Sequence, residues 1–157
     1  MKITLLTMGR TDVAWVREGL MLYVSRLKHY LPFVLNELPE LKNASSLSRD
    51  QIRRKEGELL LAQLRPSDEV ILLDEKGREY RSLESASFIE GRMLGGGRDI
   101  VFVVGGAYGF SDAVYDRADG KVSLSKMTFS HQMVRTVFAE QLYRAMTIIK
   151  GEPYHHE

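Results

Sequence analysis

Asp99–Phe110, DIVFVVGGAYGF, limits the fold more than any other stretch of this chain. Ile100 to Val104 are apolar without interruption and lead straight into Gly105-Gly106-x-x-Gly109. A short, β-branched apolar run of this kind suits a strand buried on both faces, as in a parallel sheet covered by helices. The glycines let the backbone turn sharply and approach a ligand with no Cβ in the way. In open α/β sheets, ligands bind beyond the carboxyl ends of the strands, where this loop would sit. A tight strand-to-helix turn with no ligand fits the same residues.

The rest of the chain supplies a matching set of elements. Ile3–Met8 reads as a strand closed by Gly9, and Phe33–Leu38 as a second strand after Pro32. Between them, Val16, Leu20, Val24 and Leu27 recur at helical spacing. The polar segment from Pro39 to Leu47 reads as a mobile surface loop. Ser48-x-x-Gln51 matches a capping box and opens a helix to about Leu64. Glu69–Leu73 is a short buried strand followed by a turn, Asp74 to Gly77. Ser82 can cap a helix from Leu83 to Leu94, and Ser111 or Asp112 a short helix to Arg117. Val122–Ser125 is a fifth strand, and Ser130 begins a long helix stopped by Gly151 and Pro153. Strands alternating with helices, with no repeat or linker, predict one α/β domain, residues 1–157, with a mainly parallel sheet.

Composition narrows the chemistry. The chain has 157 residues and no cysteine, which excludes disulfides, zinc–cysteine sites and thiol nucleophiles and fits a reducing cytoplasm. No apolar run reaches the length of about 20 residues that spans a bilayer, so no membrane role is expected. The net charge is +1, so an anionic partner must be met by a local patch. Arg49, Arg53, Arg54 and Lys55 form the densest basic cluster. It reads either as a solvated helix face partnered by Glu56 and Glu58, or as a phosphate contact.

Familiar catalytic patterns are missing. There is no G-x-x-x-x-G-K-[ST] loop, no G-x-G-x-x-G and no dedicated metal motif. The case for a site rests on convergence. The loops after Leu73, after Val104 and from Ser125 to Phe129 all follow strands, and a parallel sheet would bring them to one edge. Asp74-Glu75 could act as an acid–base pair or simply be solvated. On the last helix, Arg135 and Arg144 are nine residues apart, so they emerge on opposite faces.

Leu73-Asp74-x-x-Gly77, Val104-Gly105-Gly106-x-x-Gly109, Leu124-Ser-Lys-Met-Thr-Phe129, His131-x-x-x-Arg135, Glu140-Gln-Leu-Tyr-Arg-Ala145 and Pro153-Tyr-His155 occur in this order. Together they resemble the large-subunit ribosomal RNA methyltransferases that modify N3 of a pseudouridine, small members of the trefoil-knotted, S-adenosylmethionine-dependent SPOUT class. The resemblance covers the whole chain. It implies an α/β-knot fold with a deep C-terminal trefoil knot. It also implies that Leu73, Gly105 and the run Leu124, Ser125, Lys126, Met127, Thr128 and Phe129 hold the methyl donor. The implied partners are a second copy, whose tail closes over the donor site, and large-subunit rRNA within the ribosome, with no metal.

On that reading His155 is the candidate base. Arg144 would stabilise negative charge, Tyr154 would stack on or hydrogen-bond the nucleobase, and Arg135 and His131 would contact substrate. Two positions depart from the pattern: Ser130 stands where Pro is usual, and His156 where Arg or Lys is common. A non-catalytic RNA- or ribosome-binding module of the same fold, and an unrelated nucleotide-binding α/β enzyme, are the competing readings.

Overall fold

The computed structural model describes residues 1–156. Five strands, β1 (Ile3–Met8), β2 (Phe33–Leu38), β3 (Glu69–Glu79), β4 (Ile100–Val104) and β5 (Gly120–Ser123), form one sheet in the order β2-β1-β4-β3-β5. Every pairing is parallel. The opening stretch is the central strand: β4 sets Ile100 beside Ile3 on one side and beside Glu69 on the other. All five of its residues are buried, as an uninterrupted apolar run requires.

Helices cover both faces. α1 (Ala14–Leu27), α3 (Ser82–Leu94) and α5 (Met133–Lys150) pack on one, where Leu20, Val24, Ile89, Phe138, Leu142 and Met146 meet Ile3, Leu5, Phe102 and Val104. α2 (Arg49–Leu61) and α4 (Asp112–Arg117) cover the other through Leu60 and Val114. The expected capping box is present: Gln51 N donates to Ser48 Oγ at 3.2 Å and Ser48 N to Gln51 Oε1 at 2.8 Å. No helix among the described residues is long and apolar enough to cross a membrane.

Five boundaries differ from expectation, the first being α2, which ends at Leu61 rather than about Leu64. β3 does not end at Leu73 but continues to Glu79. Leu73 and Arg78 both register with Val122, so Asp74–Gly77 is an excursion within the strand rather than its end. Gly77 explains the detour, because a Cβ there would stand 2.7 Å from the backbone of Lys121 and Val122. β5 begins at Gly120 and ends at Ser123, two residues earlier than the apolar pattern suggested. α3 is capped at Arg81, whose N–H donates to Glu84 at 2.8 Å, and Ser82 is already helical. α5 begins at Met133, three residues after Ser130, although Ser130 Oγ still accepts from Met133 N at 3.0 Å. The segment expected as a loop after Pro39 holds a single 3-10 turn, Ala44–Ser46.

Candidate active site

The three segments expected to meet do converge. Leu73–Lys76, Val104–Gly106, Leu124–Ser125 and Met127–Ser130 line one cleft of about 550 Å³ at the carboxyl edge of the sheet. That volume lies in the usual range for a small-molecule site. Leu73, Val122, Leu124 and Phe110 supply apolar wall, while Asp74, Glu75, Ser125 and Thr128 bring polar groups.

Those polar groups are ordered by their neighbours. Tyr115 Oη donates to Asp74, and Thr128 Oγ1 donates to Glu75. Burial, and then its bond to Asp74, pushes the Tyr115 phenol up to about 12, so it stays protonated and keeps donating at neutral pH. Ser125 Oγ accepts from Met127 N at 2.9 Å and Ser123 Oγ donates to Ser125 O at 2.7 Å, which folds the third loop on itself.

The glycines of the central loop line the cleft and also make room for the protein's own side chains. A Cβ on Gly105 would meet the Phe110 ring at 3.0 Å, and one on Gly106 would meet the Glu56 carboxyl at 2.6 Å. Their close approach is to the protein's own side chains. Gly109, at φ +83°, makes the turn, closed by its N–H to Gly106 O at 3.1 Å. Glu56 is therefore no surface partner for the basic cluster. Its carboxyl lies inward against Gly106, Oε1 has no hydrogen-bond partner, and burial raises its pKa.

Of the residues expected to hold the donor, Leu73, Gly105, Leu124, Ser125, Met127, Thr128 and Phe129 line the cleft. Lys126 is exposed and is not among the lining residues. His131 also lines the cleft, and desolvation together with the Arg135 charge lowers its pKa, leaving the ring neutral at pH 7. Arg135, four residues on, is wholly buried. It donates to Met8 O, Gly9 O and Thr11 Oγ1 at 3.1, 2.9 and 2.9 Å, which places its guanidinium inside the domain rather than on a surface.

Arg144, Tyr154 and His155 form a second cluster, and none of them lines the cleft of their own chain. Glu140 is its hub. Glu140 Oε1 accepts from Arg144 Nη2 at 2.7 Å and from Tyr154 Oη at 2.8 Å. Arg144 Nη1 is 2.9 Å from His155 Nδ1, and its guanidinium lies 4.9 Å from the centre of the Tyr154 ring. A guanidinium can only donate, so His155 Nδ1 accepts and the proton of the neutral ring sits on Nε2. The tail is further tied down by Tyr30 Oη to Glu152 at 2.7 Å and by the Tyr143–Tyr154 ring pair at 4.7 Å. Val134 lines the cleft and Arg144 lies ten residues further along α5, about 15 Å at 1.5 Å per residue. One chain therefore holds the cleft and the tail cluster apart.

The sequence pattern leaves Asp74 and Glu75 undecided, gives Glu140 a place in a motif but no role, and does not single out Tyr115. The Glu140–Arg144 pair was readable as an i,i+4 ion pair. Tyr115 carried no signal, because only the packing of α4 beside the β3 excursion brings it to Asp74.

The whole chain matches known proteins. Residues 1–155 fit the family described as "Predicted SPOUT methyltransferase". The chain belongs to the SPOUT methyltransferase family. Ribosomal RNA large subunit methyltransferase H of Parabacteroides distasonis is 52% identical to it over 157 residues, covering 100% of both chains. The protein of the same name from Cytophaga hutchinsonii is 54% identical over 156 residues, 99% of this chain and 100% of that one. A solved structure, the SpoU methyltransferase AviRb from Streptomyces viridochromogenes, covers 96% of this chain and 60% of its own at 11% identity and a TM-score of 0.44, too slight a likeness to argue from. In this SPOUT chain Leu73, Gly105, Leu124, Ser125 and Met127–Phe129 line one cleft, and Asp74, Glu75 and Tyr115 line it beside them.

Proposed function

We propose that this chain transfers the methyl group of S-adenosylmethionine to N3 of a pseudouridine in large-subunit rRNA, in the cytoplasm, on the assembled ribosome and as a homodimer. The observation that carries this is the convergence of two strand-end loops and the β3 excursion on one cleft in a SPOUT family member. Its full-length relatives bear the name of an rRNA large subunit methyltransferase. Family membership also supports the trefoil knot.

The residues of the cleft fit the methyl donor. Its adenine suits the apolar wall of Leu73, Leu124 and Phe110, and exposed loop backbone suits the adenine edge. Its ammonium and sulfonium charges suit the carboxylates of Asp74 and Glu75. The donor supplies an electrophilic methyl carbon on a sulfonium. Methylation at N3 would require the base to give up its N3 proton to a group of the protein.

The chain's own task is alignment and management of that proton. The tail cluster of one protomer supplies these groups to the cleft of its partner, since neither reaches the other within one chain. Arg144 stabilises the anion developing on the base. His155 accepts the proton once Arg144 turns from Nδ1 toward that anion, so one movement frees the lone pair and delivers the cation. Tyr154 packs against the nucleobase. Apolar groups left exposed on α1, Trp15 and Leu22, seven residues apart on one helical face, support burial against a second copy.

Incubation with donor labelled at the methyl group, and free rRNA, separate subunits or whole ribosomes, tests the reading. Label is expected in the large-subunit rRNA of ribosomes and not in free rRNA. Donor binding without transfer to any of the three would instead indicate a binding module.

A further inference from the structure

α2 meets the loop from Gly105 to Phe110 from outside, and the two enclose a second cleft of about 630 Å³ lined by Arg53, Arg54 and Tyr108. Gly109, Phe110 and Tyr115 line both this cleft and the donor cleft, so the two adjoin. Tyr108 is 42% exposed, with the Arg49 guanidinium 5.1 Å from its ring centre. Arg53 Nη1 reaches Tyr108 O at 3.4 Å, and the same side chain pairs with Asp50.

Apart from Arg53, which pairs with Asp50, the basic cluster lacks the neutralising partners that a merely solvated face would have. Glu56 is turned inward against Gly106, and Glu58 forms no ion pair among the described residues. Arg49, Arg54 and Lys55 likewise carry no ion pair there, and all three are exposed. These unpaired cations crowd the first turns of α2 and give that end of the helix a local excess of positive charge. An exposed aromatic ring among cations is the combination that single-stranded nucleic acid uses, with phosphates on the cations and a base on the ring.

We infer that Arg49, Arg54, Lys55 and the Tyr108 ring bind the backbone and one base of the substrate RNA next to the methylated nucleotide. The inference rests on the rRNA reading above and names the surface through which that substrate is held. Glu58 and Asp112 also line the second cleft, which makes its interior unsuited to a free anion. A strand running along the outer face meets the cations without entering. The loop that walls the donor cleft would then be gripped by the substrate it serves.

The test uses the full chain and ribosomes. The variant Arg49→Ala/Arg54→Ala/Lys55→Ala changes only exposed side chains. Its KM for ribosomes is expected to rise about tenfold or more, with donor affinity by calorimetry unchanged. The slope of log affinity against log salt is expected to shrink by about 2, at roughly 0.7 for each lost single-strand phosphate contact. Arg54→Lys, which keeps the charge, is expected to stay within about twofold of the parent. A triple variant with parental KM and salt slope overturns this surface while leaving the methyltransferase reading standing. Loss of donor affinity in the triple variant overturns it too, because the residues would then act through the loop alone. A parent protein that labels no ribosomal substrate overturns the function itself, and this inference with it.

Discussion

Arg135 Nη1 lies 2.9 Å from the carbonyl oxygen of Gly9, 126 residues earlier in the chain. The same guanidinium takes Met8 O and Thr11 Oγ1, so α5 is pinned at its first turn to the end of β1. Glu37 stands 3.5 Å away as the nearest opposite charge. Arg135→Ala would empty a buried site, strip Met8 O, Gly9 O and Thr11 Oγ1 of the guanidinium that bridges them, and remove a counter-charge from Glu37. The expected loss is about 3–5 kcal/mol in urea unfolding, the scale for breaking a buried, hydrogen-bonded pair. A loss below about 1 kcal/mol would contradict this placement.

Glu56 gives the chain a pH signature. Burial raises its folded pKa above the unfolded value of about 4.3. The folded state therefore holds the proton more tightly, and the associated stability is complete below the unfolded pKa and is lost as pH rises through the folded one. Glu56→Gln, nearly the same shape without the charge, is expected to raise the urea midpoint at pH 7 and to match the parent near pH 4. Equal midpoints at both values would show the carboxyl to be adequately solvated.

Glu140 holds the tail through one oxygen shared by Arg144 and Tyr154. Glu140→Ala is expected to lower methyl transfer about tenfold or more, equivalent to some 1.4 kcal/mol of barrier. Donor affinity should not change, because Glu140 lies outside the cleft. Amide exchange of the residues from Gly151 to His156 is expected to quicken in the same variant, and unchanged exchange would separate the residue from the tail.

A composite site can be tested by mixing subunits. Arg144→Ala and Gly105→Phe proteins, the first lacking the tail cation and the second with a blocked cleft, are each expected to be inactive. Refolded together in equal amounts, they should recover about one quarter of the parent's sites, since half the dimers would carry one intact combination. No recovery from a mixture shown to contain mixed dimers would place cleft and tail in the same subunit.

Much of this architecture was readable from local pattern. The five strands, the central place of Ile100–Val104, the capping box at Ser48 and the stop at Gly151 follow from apolar period, caps and glycine. Parallel strands deliver their ends together, which brings the loops after β4 and β5 to one edge, and the β3 excursion joins them there. What escaped was set by non-local packing. The β3 excursion depends on Gly77 passing the β5 backbone, and neither strand reveals the other. Arg135 read as a surface cation because arginine usually is one, and its burial depends on carbonyls at the other end of the chain. Glu56 read as a salt-bridge partner because its neighbours in sequence are basic, whereas the helix turns it toward Gly106. Spacing along α5 correctly separated Arg135 from Arg144, but could not say which one faces inward.

The Arg135 fastener also bears on the order of events during synthesis. β1 is among the first segments made, yet the group that ties off its carbonyls arrives only after β5 has been laid down. Contacts of such wide sequence separation form slowly, since the intervening chain must be ordered before they reward it. A nascent chain that stops short of residue 135 would own every strand of the sheet and still lack the guanidinium that braces Met8 O, Gly9 O and Thr11 Oγ1 together. Partly made copies of this protein should thus be good clients for chaperones and proteases, and release from that scrutiny should come late and all at once.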